Sequence, residues 1–330
     1  MYDAHDYDAM FADPVRTGAY LAAISRAVQP GSVVVEIGTG VGFFAVAACR
    51  AGARRVYAIE SNPVIELAAD VARDNGCADR ITFISADSRD ATLPEPADVM
   101  LSDLRGVLPL HGDHIPTLVD ARTRLIRSGA TIIPRADVLW AAPCAAPAEW
   151  RRVHGSNGDA AHGINRRAVA ARVRSDWYRC HLSSGDLAAP GVQWARLDYA
   201  TIESPSISGR AEWRLERDGA ADGIALWFDG DLGFGATIAN SPRAPRALYG
   251  QAFFPLARPV EFRAGDCLAV ELIANYAMGE YLWGWNTTLT PAARGAPPVE
   301  FRQSNLAAHL VSLGRLRKAA GAARDSRRTD

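Results

Sequence analysis

The sequence predicts an α/β protein in two parts: a parallel sheet flanked by helices, followed by an antiparallel β barrel or sandwich. Two observations lead to this prediction. Between residues 31 and 134, short apolar runs alternate with amphipathic segments, a spacing typical of right-handed βαβ units. After Pro134, helical periodicity mostly disappears, and short alternating segments separated by Gly, Pro, Ser and Asp take over. A chain of 330 residues is long enough for both parts.

The first part begins with a predicted N-terminal helical cap over residues 1–30. Within it, Asp13-Pro14 opens a helical pattern that runs to Ala27, because proline after an acidic cap residue favours a helix start. Residues 31–134 then form the predicted parallel-sheet domain. Its strands are expected at 32–37, 55–60, 81–85, 97–102 and 130–133, with helices at 42–51, 63–75 and 113–127.

The second part is predicted over residues 135–305 as the antiparallel β domain. One helical segment, from Asn165 to Cys180, interrupts it and lies in an arm near 163–186. Residues 306–330 are expected to form a C-terminal helix, to about Leu316, and a disordered tail. The β segments are expected at 137–142, 194–203, 211–216, 223–229, 250–254, 267–273 and 279–289.

The most informative motif lies at residues 33–44, which read VVVEIGTGVGFF. A buried apolar strand runs into a GxGxG turn, and an apolar helix begins at once. Glycines let the backbone turn sharply and approach a ligand at a helix N-terminus. The next apolar run, 56–59, ends in Glu60, and an acid at that place can accept hydrogen bonds from a ribose diol. This pairing predicts a nucleotide-type cofactor site.

The acid before the first glycine, Glu36, distinguishes between cofactors. A dinucleotide site favours GxGxxG, and its pyrophosphate would be repelled by a carboxylate there. A cofactor with a sulfonium and an ammonium group would tolerate it. The pattern therefore resembles motif I of the Rossmann-like class I methyltransferases, which implies S-adenosyl-L-methionine as the cofactor.

Composition limits the remaining possibilities. Hydrophobic residues make up 48% and charged residues 22% of the chain, and the net charge of -1 gives no sign of a nucleic-acid partner. The N-terminus is acidic and lacks an apolar signal run, and no stretch approaches the roughly 20 apolar residues of a membrane helix. Scattered cysteines without a CxxC pattern predict no metal site and fit a reducing cytoplasm; they are Cys49, Cys77, Cys144, Cys180 and Cys267.

The whole layout resembles the protein arginine methyltransferases from about residue 10 to 275. Each motif is short, but their order and spacing are specific. The matching segments are Met-Phe-Ala-Asp-Pro-Val-Arg-Thr at 10–17, Ala-Gly-Ala-Arg-Arg-Val at 51–56, Leu93-Pro94, the approach to the active-site loop at 98–103, Ile133-Pro134 at the start of the barrel, Trp-Phe-Asp at 227–229, Asn-Ser-Pro at 240–242, and Gln251. The resemblance implies methyl transfer to a nitrogen nucleophile in a peptide, protein or metabolite.

This chain departs from the family pattern at the acceptor side. The first glutamate of the family's active-site loop is replaced by Asp103. The second maps to Gly112, with Asp113 beside it, and the Thr-His-Trp loop maps to 247–249, where Leu248 replaces the histidine. We expect the counterpart of that family's tyrosine-rich N-terminal lid to be short and mostly absent in this chain. We therefore expect weak or no activity on glycine- and arginine-rich peptides.

The resemblance and the strand ends together predict the site residues. Arg16 is expected to pair with the methionine carboxylate of the cofactor, because a guanidinium fork suits a carboxylate. Glu36 is expected near the ammonium side, and Asp87 and Ser88 near the adenine. The predicted cofactor-binding set is Arg16, Glu36, Gly38, Gly40, Glu60, Asp87 and Ser88.

The predicted catalytic residues follow the fourth strand. Asp103 lies where ligands bind in such sheets, beyond the carboxyl ends of the strands. In the loop that follows, His111, Asp113 and His114 are candidates to orient or deprotonate an acceptor. Trp283 and Trp285 alternate with Tyr281 on a strand pattern and are expected to pack in the barrel rather than form a substrate cage.

Two alternatives to this function remain open from the sequence. One is a small-molecule O- or N-methyltransferase of bacterial secondary metabolism, and the other is a non-catalytic scaffold that binds the cofactor. In the family that this chain resembles, an arm from the β domain docks on the cofactor domain of a second subunit. The segment near 163–186 occupies that place, so we expect a closed two-fold homodimer.

Overall fold

The amino-terminal part is built on a parallel sheet. The computed structural model describes residues 4–155, 160–161, 164–293 and 295–308. In these residues the sheet has the strand order β3-β2-β1-β4-β5, and all neighbouring strands are parallel. Its strands are β1 (Val33–Ile37), β2 (Arg55–Glu60), β3 (Ile81–Ser85), β4 (Ala97–Ser102) and β5 (Ile126–Ile133).

The helices of this part cover and connect the sheet. Asp13 starts α2 as predicted: its Oδ1 accepts hydrogen bonds from the amides of Val15 at 2.9 Å and Arg16 at 3.1 Å, which satisfies two free N–H groups of the first turn. The preceding helix, α1, lies within the predicted helical cap but was not predicted as a separate helix. The helices are α1 (Ala4–Ala12), α2 (Pro14–Ala27), α3 (Phe43–Arg50), α4 (Ile65–Asp74) and α5 (His114–Arg124).

The last helix and strand of this part correct the prediction. The helix expected to reach residue 127 ends at Arg124, and the strand expected at 130–133 begins at Ile126. The pairing with β4 shifts register between Ala97 and Val99, so β5 bulges there. Gly129, which has φ +74°, lies within this bulge. It falls in the gap that the prediction left between the helix and the strand.

The second part is antiparallel, as predicted, with strand order β10-β6-β12-β14-β9 in one sheet, to which β13 adds on β12, and β11-β15-β16-β17 in the other. A short pair, β7 with β8, stands apart. These strands are β6 (Ala136–Cys144), β7 (Ala160–Ala161), β8 (Ile164–Asn165), β9 (Tyr178–Cys180), β10 (Val192–Asp198), β11 (Ile207–Arg214), β12 (Gly219–Gly233), β13 (Ala236–Ala239), β14 (Gln251–Phe262), β15 (Cys267–Ala277), β16 (Glu280–Thr290) and β17 (Val299–Ser304).

The large aromatic side chains fill the interior of the β domain. Trp283 and Trp285 on β16 are completely buried, and both pack edge-on against the Phe254 ring, with centroids 5.1 and 5.3 Å away. Trp194 packs against Trp283. These contacts confirm that the two tryptophans belong to the packed interior of the barrel.

The arm region corrects a second prediction. The helix expected from Asn165 to Cys180 is only α7 (Arg167–Val173), and residues 178–180 form β9 instead. The cause is tertiary pairing, because β9 hydrogen-bonds to Gln251–Phe253 of β14 and thereby leaves the helix. The sequence also missed α6 (Pro147–His154).

Of the carboxyl-terminal helix predicted to begin at Leu306, the described residues include only the first three; its remainder and the predicted disordered tail fall on residues 309–330, which lie outside the described residues. Two short 3₁₀ helices also occur in the described residues, one at Ser184–Asp186 in the arm region and one at Asn305–Ala307. No helix within the described ranges is long and apolar enough to cross a membrane.

Candidate active site

The glycine turn after β1 is shaped for close approach. Gly38, Gly40 and Gly42 have φ values of +75°, +55° and +79°, which other residues rarely adopt. A Cβ on Gly38 would lie 2.5 Å from the Leu104 Cδ2 atom, and one on Gly40 would lie 2.5 Å from a ring carbon of Tyr7. The turn is therefore restricted to glycine by both conformation and space.

Glu60, at the end of β2, is fixed by this turn. Its Oε2 accepts a hydrogen bond from the Gly40 amide at 3.0 Å, and its Oε1 accepts one from the Asn62 amide at 2.8 Å. A carboxylate offers about four acceptor positions, so further positions remain for ligand hydroxyl groups. Glu60 also lines the cavity described below, where we expected an acid for ribose hydroxyls.

Glu36 lies buried below the turn. The Thr39 hydroxyl donates to its Oε2 at 2.6 Å, yet burial raises the pKa of Glu36 to about 8. The carboxyl group is therefore largely protonated at neutral pH while no cation is bound. Its expected electrostatic role requires a cationic group of the cofactor nearby, which would favour the ionised form.

This pKa makes cofactor binding pH-dependent. If a cationic cofactor group ionises Glu36, binding releases a proton, and affinity increases as the pH rises toward the pKa of about 8. Calorimetry with S-adenosylmethionine in buffers of different ionisation enthalpy should show release of up to about one proton at pH 7. Glu36→Gln should abolish that release. An equal release in the variant would assign the proton to another group.

A cavity of about 520 Å³ opens at the carboxyl ends of β1, β2 and β4, a volume within the usual range for ligand sites. The turn glycines, Glu36 and Glu60 lie on one side of it, and Asp103 lies on another. Helix α1 contributes Tyr7, Met10 and Phe11, so a short N-terminal helix covers the cavity although we expected the lid to be mostly absent.

Asp103 follows β4 and is held by groups from three directions. Arg16 Nε donates to its Oδ2 at 2.6 Å, Tyr249 Oη donates to the same oxygen at 2.8 Å, and Arg105 Nε donates to Oδ1 at 3.1 Å. Burial alone would raise the pKa of Asp103, but the two guanidinium groups outweigh it and lower that pKa to about 2. Asp103 thus stays ionised at every physiological pH.

Arg16 therefore makes a contact that the sequence did not predict. It lines the cavity, where we expected it to meet the cofactor carboxylate, and it also pairs with Asp103 across 87 residues. One guanidinium has five N–H donors, so the observed pair leaves donors for a second carboxylate.

Behind Asp103 lies a buried network that sequence reasoning missed. Arg105 Nη1 donates to Asp137 Oδ1 on β6 at 2.9 Å, and Asp137 accepts the hydroxyl hydrogen of Tyr199 through its other oxygen. The Tyr199 hydroxyl also lies 3.1 Å from His114 Nε2 on α5. The network joins the two parts of the molecule. Its only signal in the sequence was an acid, Asp137, inside a predicted strand.

At the rim of the cavity, Asp113 is engaged by two neighbouring side chains. Its carboxylate pairs with Arg89 at 2.8 Å and accepts a hydrogen bond from the Tyr276 hydroxyl on β15. Arg89 also pairs with Asp87 at 2.6 Å, which lowers the pKa of Asp87 through this side-chain hydrogen bond. Asp87 and Asp113 both line the cavity, but their charges are partly compensated by Arg89.

The other predicted residues also line this cavity. Ser88 is buried, whereas His111 is exposed and packs against Gly106. Burial, followed by the Arg105 charge, lowers the pKa of His114 to about 3, so its imidazole is neutral. The structure thus brings every predicted site residue to one cavity, while Arg105 and Tyr249 were not predicted.

The observed donors and acceptors fit S-adenosylmethionine. Glycine amides and Glu60 suit a ribose, Arg16 suits the amino-acid carboxylate, and Glu36 suits a cation. The positive φ values of Gly38 and Gly40 let the turn pass close to the cavity that these residues line.

Comparisons with known proteins agree with this fit. The family model of the TRM5/TYW2 methyltransferase domain matches residues 8–114. The chain is 32% identical to an arginine N(omega)-methyltransferase of Streptomyces achromogenes subsp. streptozoticus over 80% of this chain and 74% of that protein. It is 26% identical to a probable protein arginine N-methyltransferase 6 of Arabidopsis thaliana, over 68% of this chain and 53% of that protein.

Solved structures share the fold. Protein arginine methyltransferase 10 of Arabidopsis thaliana superposes with a TM-score of 0.80 at 19% identity, covering 92% of this chain and 97% of that chain. A Trypanosoma brucei PRMT1 enzyme–prozyme heterotetrameric complex with AdoHcy gives a TM-score of 0.81 at 18% identity, covering 90% of this chain and 97% of the other.

Proposed function

This chain belongs to the arginine methyltransferase family, and we propose that it methylates a terminal guanidino nitrogen of an arginine, free or exposed in a peptide. It is an S-adenosylmethionine-dependent methyltransferase, as its relatives and fold show. The observation that supports this acceptor is Asp103, an ionised carboxylate at the end of β4 that faces the cofactor cavity. A carboxylate there anchors an N–H donor beside the cofactor.

The residues of the chain align the reactants more than they move protons. When bound, S-adenosylmethionine supplies an electrophilic methyl group. Glu60 and the turn glycines hold the cofactor, while Asp103 accepts a hydrogen bond from the acceptor nitrogen and orients it. Because the pKa of Asp103 is about 2, it acts as an anchor rather than the final holder of the proton, which leaves to solvent. Asp103, Asp113 and His111 remain our proposed acceptor-side residues.

An acceptor panel tests this proposal. The protein is incubated with S-adenosylmethionine and either L-arginine, agmatine or a glycine- and arginine-rich peptide, and the products are fragmented by mass spectrometry. We expect methyl on a guanidino nitrogen of a small acceptor and weak transfer to the peptide, because Gly112 lacks the second carboxylate and Leu248 replaces the histidine. Robust dimethylarginine formation on the peptide would contradict this expectation.

The loss of the family's second loop glutamate also supports a second candidate function. In this candidate function Asp113 keeps its contacts with Arg89 and Tyr276, and Asp103 alone holds the acceptor. A small-molecule acceptor with one N–H or O–H donor fits that arrangement. If the products from the acceptor panel carry the methyl group on an oxygen, or on a nitrogen outside the guanidino group, this second function would be favoured. Cofactor binding with no turnover on any acceptor would favour a non-catalytic scaffold.

We further propose that two copies assemble through the arm. Ile164, Val169 and Val173 expose large apolar side chains on the arm, with 70%, 58% and 41% of their surfaces accessible. Leu21 on α2 and Leu67 on α4 are exposed apolar residues of the cofactor domain. A two-fold dimer would cover both pairs of surfaces at once.

Light scattering at micromolar concentration should therefore give a dimer. Val169→Glu should shift it toward monomer, because a charge would have to be desolvated in the contact. Met278→Glu, at an exposed apolar residue outside the arm, is the matched control and should remain dimeric. A monomer in the unaltered protein would contradict the dimer.

We also propose that the protein acts in the cytoplasm. The cysteines of the chain are unpaired thiols, four of them buried, which suits a reducing compartment. Fractionation of the native host cells, with the protein followed by antibody, tests this location.

A further inference from the structure

Arg105 places a guanidinium against Asp103 from inside the protein. Its side chain is fully buried, and its Nε donates to Asp103 Oδ1 at 3.1 Å. Its two remaining nitrogens are used elsewhere: Nη1 donates to Asp137 at 2.9 Å, and Nη2 donates to the Tyr20 hydroxyl at 2.7 Å. All three nitrogens of this side chain therefore have partners.

These contacts keep Arg105 in place. The guanidinium lies over the Phe228 ring, 5.1 Å from its centroid, and over the Tyr20 ring at 5.7 Å. Asp137 is completely buried, so removal of Arg105 from it would leave an unpaired carboxylate in the interior. We therefore expect Arg105 to stay beside Asp103 when an acceptor enters.

The remaining capacity of Asp103 can be counted. A carboxylate has about four acceptor positions, two on each oxygen. Arg16 and Tyr249 use both positions of Oδ2, and Arg105 uses one of Oδ1. One position, on Oδ1, is left for an acceptor. A guanidinium cannot then bind Asp103 through two parallel hydrogen bonds.

The charges are balanced as well. The buried network contains two guanidinium groups, Arg16 and Arg105, and two carboxylates, Asp103 and Asp137. Each carboxylate within this network therefore has a guanidinium partner. A neutral acceptor with one N–H donor can use the same single position on Oδ1.

We propose that Arg105 is a positioning residue that sets acceptor specificity, by limiting the acceptor to one hydrogen bond with Asp103 and by cancelling its charge. The inference rests on the proposed function in one respect, that Asp103 is the acceptor anchor. It predicts little preference for a cationic over a neutral acceptor of the same shape, and a large gain of that preference once Arg105 is removed.

The test compares L-arginine with L-citrulline, which has the same length but a neutral urea in place of the guanidinium. Their affinities for the protein saturated with S-adenosylhomocysteine are measured by calorimetry. Arg105→Met frees a position on Oδ1 and removes a positive charge. The ratio of arginine to citrulline affinity should rise by about tenfold or more, as expected for a hydrogen bond to a charged group.

Two further variants separate specificity from damage to the fold. Arg105→Met with Asp137→Asn removes the unpaired buried charge and should show the same direction of change. Arg122→Met is the matched control, because Arg122 also links the two parts of the molecule, donating to the backbone oxygens of Tyr199 and Ile202, without touching Asp103. Its affinity ratio should stay at the unaltered value, and S-adenosylhomocysteine affinity reports correct folding of each variant.

The outcomes distinguish this inference from the proposed function. An unchanged ratio in both Arg105 variants, with S-adenosylhomocysteine still bound, overturns the role of Arg105. If the ratio rises but the unaltered protein methylates no guanidino compound, the role of Arg105 stands and the proposed acceptor is wrong. An equal rise in Arg122→Met would assign the change to a loosened contact between the two parts.

Discussion

Asp103→Asn is expected to lower kcat/KM by about 10²-fold or more while leaving S-adenosylhomocysteine binding nearly unchanged, because removal of one preorganised hydrogen-bonding group at the reacting centre typically costs 10²–10³ in rate. The asparagine amide has one oxygen acceptor where the carboxylate has two. Its NH2 group would face the N–H donors of Arg16 or Arg105, which cannot accept a hydrogen bond. The acceptor then loses its charged anchor, while Glu60 and the glycine turn are untouched. Steady-state kinetics on the best acceptor of the panel, together with calorimetry for the cofactor product, measure both quantities.

Two controls frame this result. Asp113→Asn should have a smaller effect, because that carboxylate is engaged by Arg89 and Tyr276. Asp90→Asn, at an exposed aspartate, should have none. Full activity in Asp103→Asn would indicate an acceptor that needs no carboxylate, such as a hydroxyl or an acid, and the small-molecule O-methyltransferase alternative would replace the proposed function.

Glu60→Ala should weaken S-adenosylmethionine binding by about 1.5–3 kcal/mol, the usual value of a hydrogen bond to a charged group. The variant loses the predicted ribose contact and also leaves the Gly40 and Asn62 amides without their acceptor. On the order of a 10- to 100-fold rise in Kd is therefore expected by calorimetry.

Glu66→Ala provides the comparison for this prediction, since Glu66 is an exposed glutamate in the first turn of the next helix. Its affinity should match that of the unaltered protein. NAD is expected not to bind either protein, because the glycine turn reads GxGxG rather than the GxGxxG that a dinucleotide site favours. An unchanged Kd in Glu60→Ala would refute the ribose assignment.

The cofactor half could be predicted from the sequence because its signals are local. The glycine turn, Glu36 and Glu60 lie within 25 residues, and each needs a particular residue type for a conformational or chemical reason. The start of α2 was predicted for the same reason, since Asp13 caps the helix that it precedes. The β domain could be predicted from its short segments of alternating polar and apolar residues. This pattern identifies the class of the domain but not which strands pair with each other.

The acceptor side was predictable only in part because its contacts span long separations. Tyr249 lies 146 residues from Asp103, and Tyr199 lies 62 residues from Asp137, so no spacing rule links them. Arg105 looked like an ordinary loop residue, although it is fully buried. The predicted length of the arm helix was wrong for a related reason. Pairing of β9 with a strand distant in sequence took the last residues of the predicted helix.

A crystal structure with S-adenosylhomocysteine and L-arginine tests the central claim most directly. We predict the ribose hydroxyls within about 3.2 Å of Glu60 and one guanidino nitrogen within the same distance of Asp103 Oδ1, on the side where the cofactor sulfur lies. Arg105 should keep its contacts with Asp103 and Asp137. A ligand bound outside this cavity, or an arginine that takes both oxygens of Asp103 after displacing Arg105, would contradict the account.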